Sequence, residues 1–208
     1  MISINEFFDL VIPRLQNVPY IIYNGTLWSI IVKDELYAND IDIDILIPVH
    51  TRKTVKSLFT EFITLRDDEH HLYLEHRDRR LDCYLYSSHD TFISESSSYV
   101  HIADEKNMNP NKLALYWDKS LLFPTKKSIF RGKEINLPAQ SEELLKQHYG
   151  LNFRNWDSPE GDSTIKGINV FRTVFDHKTK LVYSHKNTRY YYDKEGIRYS
   201  HIPTKPVS

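Results

Sequence analysis

The apolar positions of this chain recur with two periods, and the period switches from stretch to stretch. Residues 3–16 (SINEFFDLVIPRLQ) carry them at helical spacing. They predict a short amphipathic helix, interrupted or ended near Pro13, whose ring and missing N–H break a helix interior. Tyr20-Ile21-Ile22-Tyr23 is a short β-type run, broken by Asn24-Gly25-Thr26. Residues 27–35 (LWSIIVKDE) then read as a helix with Thr26 as its N-cap. The run NDIDIDILIPV at 39–49 alternates acid and isoleucine before turning wholly apolar, which predicts a strand ended by Pro48. On it Asp40, Asp42 and Asp44 share one face, and Ile41, Ile43 and Ile45 the other. Val55, Leu58, Phe59 and Phe62 return residues 51–62 to helical spacing. Two strands follow at 71–76 (HLYLEH) and 80–86 (RLDCYLY), joined as a hairpin by the polar Arg77-Asp78-Arg79.

After Ser87 the pattern weakens. Residues 87–98 are Ser-rich and read as loop, and 112–122 as a helix. Residues 130–138 (FRGKEINLP) read as a hairpin with a Gly turn. Residues 141–149 (SEELLKQHY) predict a helix with Ser141 at its N-cap, acids in its first turn and Gly150 as its stop. The tail over 168–202, rich in Tyr, Val and Phe, reads as β. Helices and strands are thus mixed along the chain, an α+β pattern without an internal repeat.

Composition narrows the class. A chain of 208 residues with 40% hydrophobic and 26% charged positions is long enough to bury a core and too apolar for disorder. The net charge of −1 argues against a general polyanion binder, and no nucleic-acid motif is recognisable, so no nucleic-acid partner is expected. The charge is uneven: residues 162–208 hold nine Lys/Arg against four Asp/Glu, which leaves the front acidic. A basic tail can be a solvated face, or can meet a phosphate-bearing substrate or an acidic membrane surface. The single cysteine, Cys83, forms no internal disulfide and fits a reducing, cytoplasmic compartment. No stretch has the ~18–20 apolar residues of a membrane span, so membrane contact would be peripheral.

The acidic strand raises the chemical question. Like charges two apart on a strand face repel, so either water solvates that face or something positive sits on it. Alternation alone leaves both open. Two further features favour a cation. Asp82 stands as an isolated acid on a strand of its own, and carboxylates from two adjacent strands suit a hard cation such as Mg²⁺ or Mn²⁺. Gly25-Thr26 begins a helix before the acids, and a helix N-terminus with a close-approaching glycine suits a phosphate. Asp42, Asp44 and Asp82 are the candidate metal ligands and catalytic residues, Asp40 is an outer helper, and Gly25 and Thr26 are the candidate phosphate contacts. His70, His71 and His76 lie near Asp82 in sequence and read mainly as surface strand positions; His148 reads as a residue of a solvated helix face.

At these residues the sequence resembles the nucleotidyltransferase fold, with its G-[ST] turn, D-x-D strand and later single Asp. More narrowly it resembles the LicD family, which includes the bacterial phosphocholine transferases and the fukutin-related ribitol-phosphate transferases. Gly25-Thr26-Leu27 opens that family's pattern, Asp42-Ile43-Asp44 closes it, and Asp40 falls on a family acid. A second, more diffuse block follows in order: Phe123-Pro124, Phe130-Arg131-Gly132, Leu137-Pro138, Leu144-Leu145, Tyr149-Gly150 and Pro159. Val32 stands where the family has Arg, Asp34-Glu35 where it has Gly-Gly, Asn39 where it has Trp, and Ile41 where it has a middle acid.

The resemblance implies a nucleotidyltransferase-like mixed β-sheet flanked by helices over 1–161, followed by a basic, Tyr-rich β extension at 162–208. It implies transfer of phosphocholine, glycerol phosphate or ribitol phosphate from a CDP-linked donor to a sugar hydroxyl of a surface glycan or lipid-linked sugar, with release of CMP. Mg²⁺ or Mn²⁺ would sit on Asp42, Asp44, Asp82 and Asp40. The alternatives are a nucleotidyltransferase that moves a nucleotide from a triphosphate, and a non-enzymatic module that binds nucleotide or metal.

Overall fold

The computed structural model describes residues 2–68, 71–88, 114–149 and 153–155, strand 92–96, and four short strands of the tail; for 92–96, 114–118 and the tail strands it describes the backbone alone. His70, Gly150 and Pro159 lie outside the described residues.

The chain starts with α1 (Ile4–Val11), closed by a capping box in which Ser3 and Glu6 satisfy each other's backbone N–H groups. A 3₁₀ turn, Ile12–Leu15, carries Pro13 near its start, where the missing N–H costs nothing. Strand β1 (Ile21–Ile22) leads into α2 (Asn24–Lys33). Helix α2 begins earlier than the pattern suggests. Its N-cap is the extended Tyr23, so Gly25 and Thr26 lie inside its first turn and Thr26 is not a cap. Asp34 closes α2 in the left-handed conformation (φ 55°), the conformation that favours glycine.

Strand β2 (Asp42–Pro48) is central. Ile43 and Ile45 are fully buried, but Ile41 falls before the strand and is 53% exposed, so the predicted face of three isoleucines is reduced to two. Helix α3 (Arg52–Leu58) is shorter than the apolar spacing predicts; Phe59 and Phe62 are buried from the turn beyond it. Strands β3 (Ile63–Asp67), β4 (His71–His76) and β5 (Arg79–Ser88) follow. The β4–β5 hairpin turns on Arg77 and Asp78, both at positive φ (52° and 63°), as a two-residue loop matched to strand twist requires.

Two expectations fail beyond this point. The Ser-rich stretch is not loop throughout, because β6 (Phe92–Ser96) pairs with β5. Residues 112–122 are not one helix. Strand β7 (Ala114–Asp118) pairs with β6 and only Lys119–Leu122 is helical, α4. A second hairpin, β8 (Lys126–Phe130) and β9 (Lys133–Leu137), turns on Arg131 and Gly132 at φ 50° and 71°. Helix α5 (Ser141–Tyr149) starts at Ser141, whose hydroxyl donates to the Pro138 carbonyl at 3.0 Å. In the tail, β10 (Val174–Asp176), β11 (Leu181–Ser184), β12 (Tyr190–Tyr192) and β13 (Arg198–Tyr199) extend the sheet beyond β7 in antiparallel steps.

The sheet is mixed. Strands β2 and β5 are parallel, and β1 on β2 and β4 on β5 are antiparallel. Register fixes two faces, since paired residues point the same way. One carries Ile43, Ile45, Ile47, Leu72, Leu74, Leu81, Cys83 and Leu85, all at most 1% exposed. Helices α1 and α3 cover that side, with Phe62 against Phe7 and Phe59 and stacked on His76 at 4.7 Å. The other face carries Asp42, Asp44, Arg80, Asp82, Tyr84, Tyr73 and His71. Helices α2 and α5 pack there through Tyr23, whose ring meets Tyr84 at 5.6 Å and His148 at 5.8 Å. Two histidine expectations are corrected. His148 is 3% exposed rather than solvated, and His71 is fully buried.

Candidate metal centre

Parallel pairing of β2 with β5 brings the acids together, because Asp44 sits directly opposite Asp82. Asp42 is one pleat repeat away on the same face. One carboxylate oxygen from each of the three can be chosen so that all lie within 4.8 Å of one another. Asp40 is outside this group. It precedes the strand, and its Oδ1 accepts the Ile41 N–H at 3.0 Å.

Thr26 fixes Asp44 from above. The Asp44 N–H donates to Thr26 Oγ1 at 2.9 Å, and the Thr26 N–H donates to Asp44 Oδ2 at 3.4 Å. The positive end of α2 is thereby aimed at the acids, where it offsets their charge. Gly25 lies beside Thr26 in the same turn and is the half-buried position among buried neighbours. Just before it, Asn24 adopts a left-handed φ of 41° and buries Oδ1 without a hydrogen-bond partner. Asn24 has no counterpart among the sequence candidates.

The face also holds a positive group. The Arg80 guanidinium donates through Nη2 to Asp42 Oδ2 at 2.6 Å and through Nε to Asp82 Oδ1. It lies over the Tyr73 ring at 5.1 Å, and Arg66 lies over the same ring at 5.5 Å. Sequence reasoning missed Arg80, although a strand period of two from Asp82 puts it on this face. Of the two readings of the alternation, the structure favours the cation: Asp44 and Asp82 are shielded from water, and the positive Arg80 already pairs with Asp42 and Asp82.

Burial and crowding shift the acids. Burial drives the Asp44 carboxyl far above its ordinary range, and the Asp42, Asp82 and Asp40 charges add to it. Asp82 is pushed up to about 7 by burial; the Arg80 bond pulls against this and the Asp42 charge reinforces it. Asp40 is raised by burial and by Asp42. Burial opposes the charge on Arg80, but Asp82 and Asp42 outweigh it and hold the guanidinium more firmly protonated.

These directions predict a pH dependence. A carboxyl whose folded pKa exceeds its unfolded value of about 3.9 favours the fold while protonated, and that stability is lost as pH rises toward the folded value. In EDTA, Tm is expected to fall as pH rises from about 4 to about 7, between the unfolded and folded values of Asp82. A millimolar divalent cation should flatten the fall by favouring the ionised acids. Melting curves with and without cation check this; identical slopes, or a slope retained in Asp44→Asn/Asp82→Asn, would count against it.

Thr26 gives a second expectation. Thr26→Val keeps the shape and leaves the buried Asp44 N–H unpaired, at a cost of about 1–3 kcal/mol. Divalent-cation affinity should drop about 10–100-fold, the usual penalty for loosening a ligand's support. Thr26→Ser, which keeps the bond, should stay near wild type. Calorimetric titration separates the two, and equal losses in both would rule out the hydroxyl as the cause.

Three mutually close carboxylates, two of them almost fully buried, fit a hard divalent cation; the oxygen-only donor set disfavours softer metals. A mixed sheet with a D-x-D strand parallel to a strand bearing the third Asp, and a helix start bonded to Asp44, is the arrangement expected of the nucleotidyltransferase fold. The profile of the LicD/FKTN/FKRP nucleotidyltransferase domain matches residues 17–140, more than half of the chain. The chain belongs to this family. No curated protein matches it. Among solved structures, ANT(2″)-Ia in complex with adenylyl-2″-tobramycin is similar at 12% identity and a TM-score of 0.44, covering 64% of this chain and 67% of that one. A Thermotoga maritima protein described as a nucleotidyltransferase is similar at 16% identity and a TM-score of 0.39, covering 66% and 80%. Likeness at that level says nothing about substrate. Among the described residues no helix is long and apolar enough to cross a membrane.

Proposed function

We propose that this chain moves a phospho-alcohol (phosphocholine, glycerol phosphate or ribitol phosphate) from a CDP-linked donor to a sugar hydroxyl, with release of CMP. The observation that carries the reading is the convergence of Asp42, Asp44 and Asp82 beneath the first turn of α2 in a chain of the LicD/FKTN/FKRP family. Asp42, Asp44 and Asp82 would hold Mg²⁺ or Mn²⁺, which when bound neutralises diphosphate charge. Thr26 holds Asp44 in place, and Gly25 lets the donor approach the helix end closely. The acceptor oxygen bonds to the phosphorus that bears the alcohol. The bond from that phosphorus to the bridging oxygen breaks, and CMP leaves with the bridging oxygen. Asp82 would also take the hydroxyl proton.

The acceptor would be a surface glycan or a lipid-linked sugar, reached from the cytoplasm or the membrane surface. For the alcohol, Tyr73, one of the tyrosines on this sheet face, already lies under the Arg66 and Arg80 guanidinium groups, which disfavours that ring as a cage for choline. A donor screen decides. CDP-choline, CDP-glycerol, CDP-ribitol, ATP and CTP are incubated separately with Mg²⁺ and a sugar acceptor, and ³¹P NMR identifies the products. CMP from one CDP-alcohol is expected. Pyrophosphate from a triphosphate alone would replace this reading with nucleotide transfer, and no product with any donor would leave a binding module.

A further inference from the structure

Arg80 has no part in the reading above, yet it is the most tightly engaged cation at the centre of the site. Its two contacts go to two of the three proposed ligands, Asp42 and Asp82. Its backbone is fixed as well, since the Arg80 N–H donates to the Ile41 carbonyl at 2.9 Å. Neighbouring Arg79, by contrast, points away and spends its guanidinium on the Ile2 and Asp40 carbonyls. Of the two adjacent arginines that open β5, Arg80 is the one that faces the acids.

Three carboxylates this close are costly to bury without positive charge, and a fork of guanidinium donors is suited to spanning two of them. A divalent cation that takes all three needs the same oxygens and the same space. Two like charges cannot share it. We infer that Arg80 is the resident counter-ion of the acid cluster and exchanges with the metal: it holds Asp42 and Asp82 when the metal is away and releases at least one of them for the metal to enter. The Tyr73 ring supplies the resting place, because a guanidinium whose carbon lies 5.1 Å from the ring centroid can turn its N–H groups away from the acids and stay within cation–π reach of the ring. Once released, Arg80 is a free fork beside the donor's diphosphate, so an anionic donor favours the exchange. Metal affinity is therefore set by competition inside the protein, and the metal-free fold does not carry bare, crowded acids.

The inference rests on the metal reading, and its test reads metal binding rather than turnover. Mn²⁺ dissociation constants are measured by electron paramagnetic resonance for the full chain, Arg80→Gln and Arg80→Lys, with no nucleotide present. Arg80→Gln removes the competitor, so Mn²⁺ should bind at least about tenfold tighter, which is about 1.4 kcal/mol. The metal-free Arg80→Gln protein should melt lower, and Mn²⁺ should raise its Tm by more than it raises the wild type's. Lysine offers a single point charge that cannot span both carboxylates, so Arg80→Lys should show a several-fold gain and keeps the test open if the glutamine variant does not fold. Equal or weaker Mn²⁺ binding in the variants, with wild type binding normally, overturns the exchange and leaves the metal centre standing. Absence of Mn²⁺ binding in wild type and variants alike overturns both.

Discussion

Asp44→Asn is expected to abolish turnover, by at least about 10³-fold, while leaving the metal-free protein as stable as wild type or more so. The two halves of this result have one cause. Asp44 is buried and crowded by Asp42, Asp82 and Asp40, so ionising it costs the fold. Asparagine keeps the shape and an oxygen able to accept the Thr26 N–H, and removes the charge. The same charge is what a divalent cation needs from the centre of the cluster. Losing several kcal/mol of charge stabilisation in the reaction corresponds to three or more decades in rate. An ordinary structural residue would show the opposite pairing, with stability and activity falling together. The measurements are kcat with the active donor and a melting curve in EDTA. A variant that retains a tenth of wild-type turnover would remove Asp44 from the centre.

Trp28→Ala should be the most damaging single change to the fold, at about 3–5 kcal/mol and a drop in Tm on the order of 10 °C. Trp28 is fully buried, and its Nε1 donates to the Phe153 carbonyl at 2.8 Å, tying α2 to the 3₁₀ turn Phe153–Asn155 after α5. Alanine removes that packing and leaves a buried carbonyl without its donor. The consequence reaches the acids, because α2 also carries Thr26. Divalent-cation affinity should therefore fall with stability. Trp28→Phe, which keeps most of the packing and loses the hydrogen bond, should cost about 1–2 kcal/mol. Chemical denaturation of the three proteins gives the ordering; an alanine variant within 1 kcal/mol of wild type would mean that α2 is held by other contacts.

The site was partly legible before the fold. Alternation at 40–45 separated the acid face of β2 from its isoleucine face, and the solitary Asp82 in RLDCYLY marked a second strand of the same kind. What alternation could not supply was the partner of each strand. That Asp44 lies opposite Asp82 follows from the parallel pairing of β2 with β5, a long-range fact without a local signal. Arg80 and Tyr84 were within reach of the same period-two argument, but attention to the acid alone passed over them. His148 was also within reach: it lies one helical turn from the buried Leu144, so the face it shares was written in its spacing.

Other misses have different physics. Residues 92–96 and 114–118 become strands because β5 offers β6 an edge and β6 offers β7 another. A Ser-rich stretch has little preference of its own, and tertiary pairing decides it. Thr26 looked like a cap because capping residues are common before a helix, yet the extended backbone of Tyr23 starts α2 earlier and frees the threonine hydroxyl for Asp44. The departure at Asp34 from the family's glycine is absorbed in place, since Asp34 takes the left-handed conformation itself.

We propose that Asp42, Asp44 and Asp82 form one divalent-cation centre that faces a cytidine-linked diphosphate. Anomalous diffraction from crystals grown with Mn²⁺ and the CDP-alcohol that the screen selects tests it most directly. One strong anomalous peak is expected within bonding distance of all three carboxylates, with the donor's diphosphate against it and the Arg80 guanidinium turned off at least one acid. A peak elsewhere, or an Mn²⁺-free cluster with Arg80 still bridging Asp42 and Asp82 beside a bound donor, would contradict it.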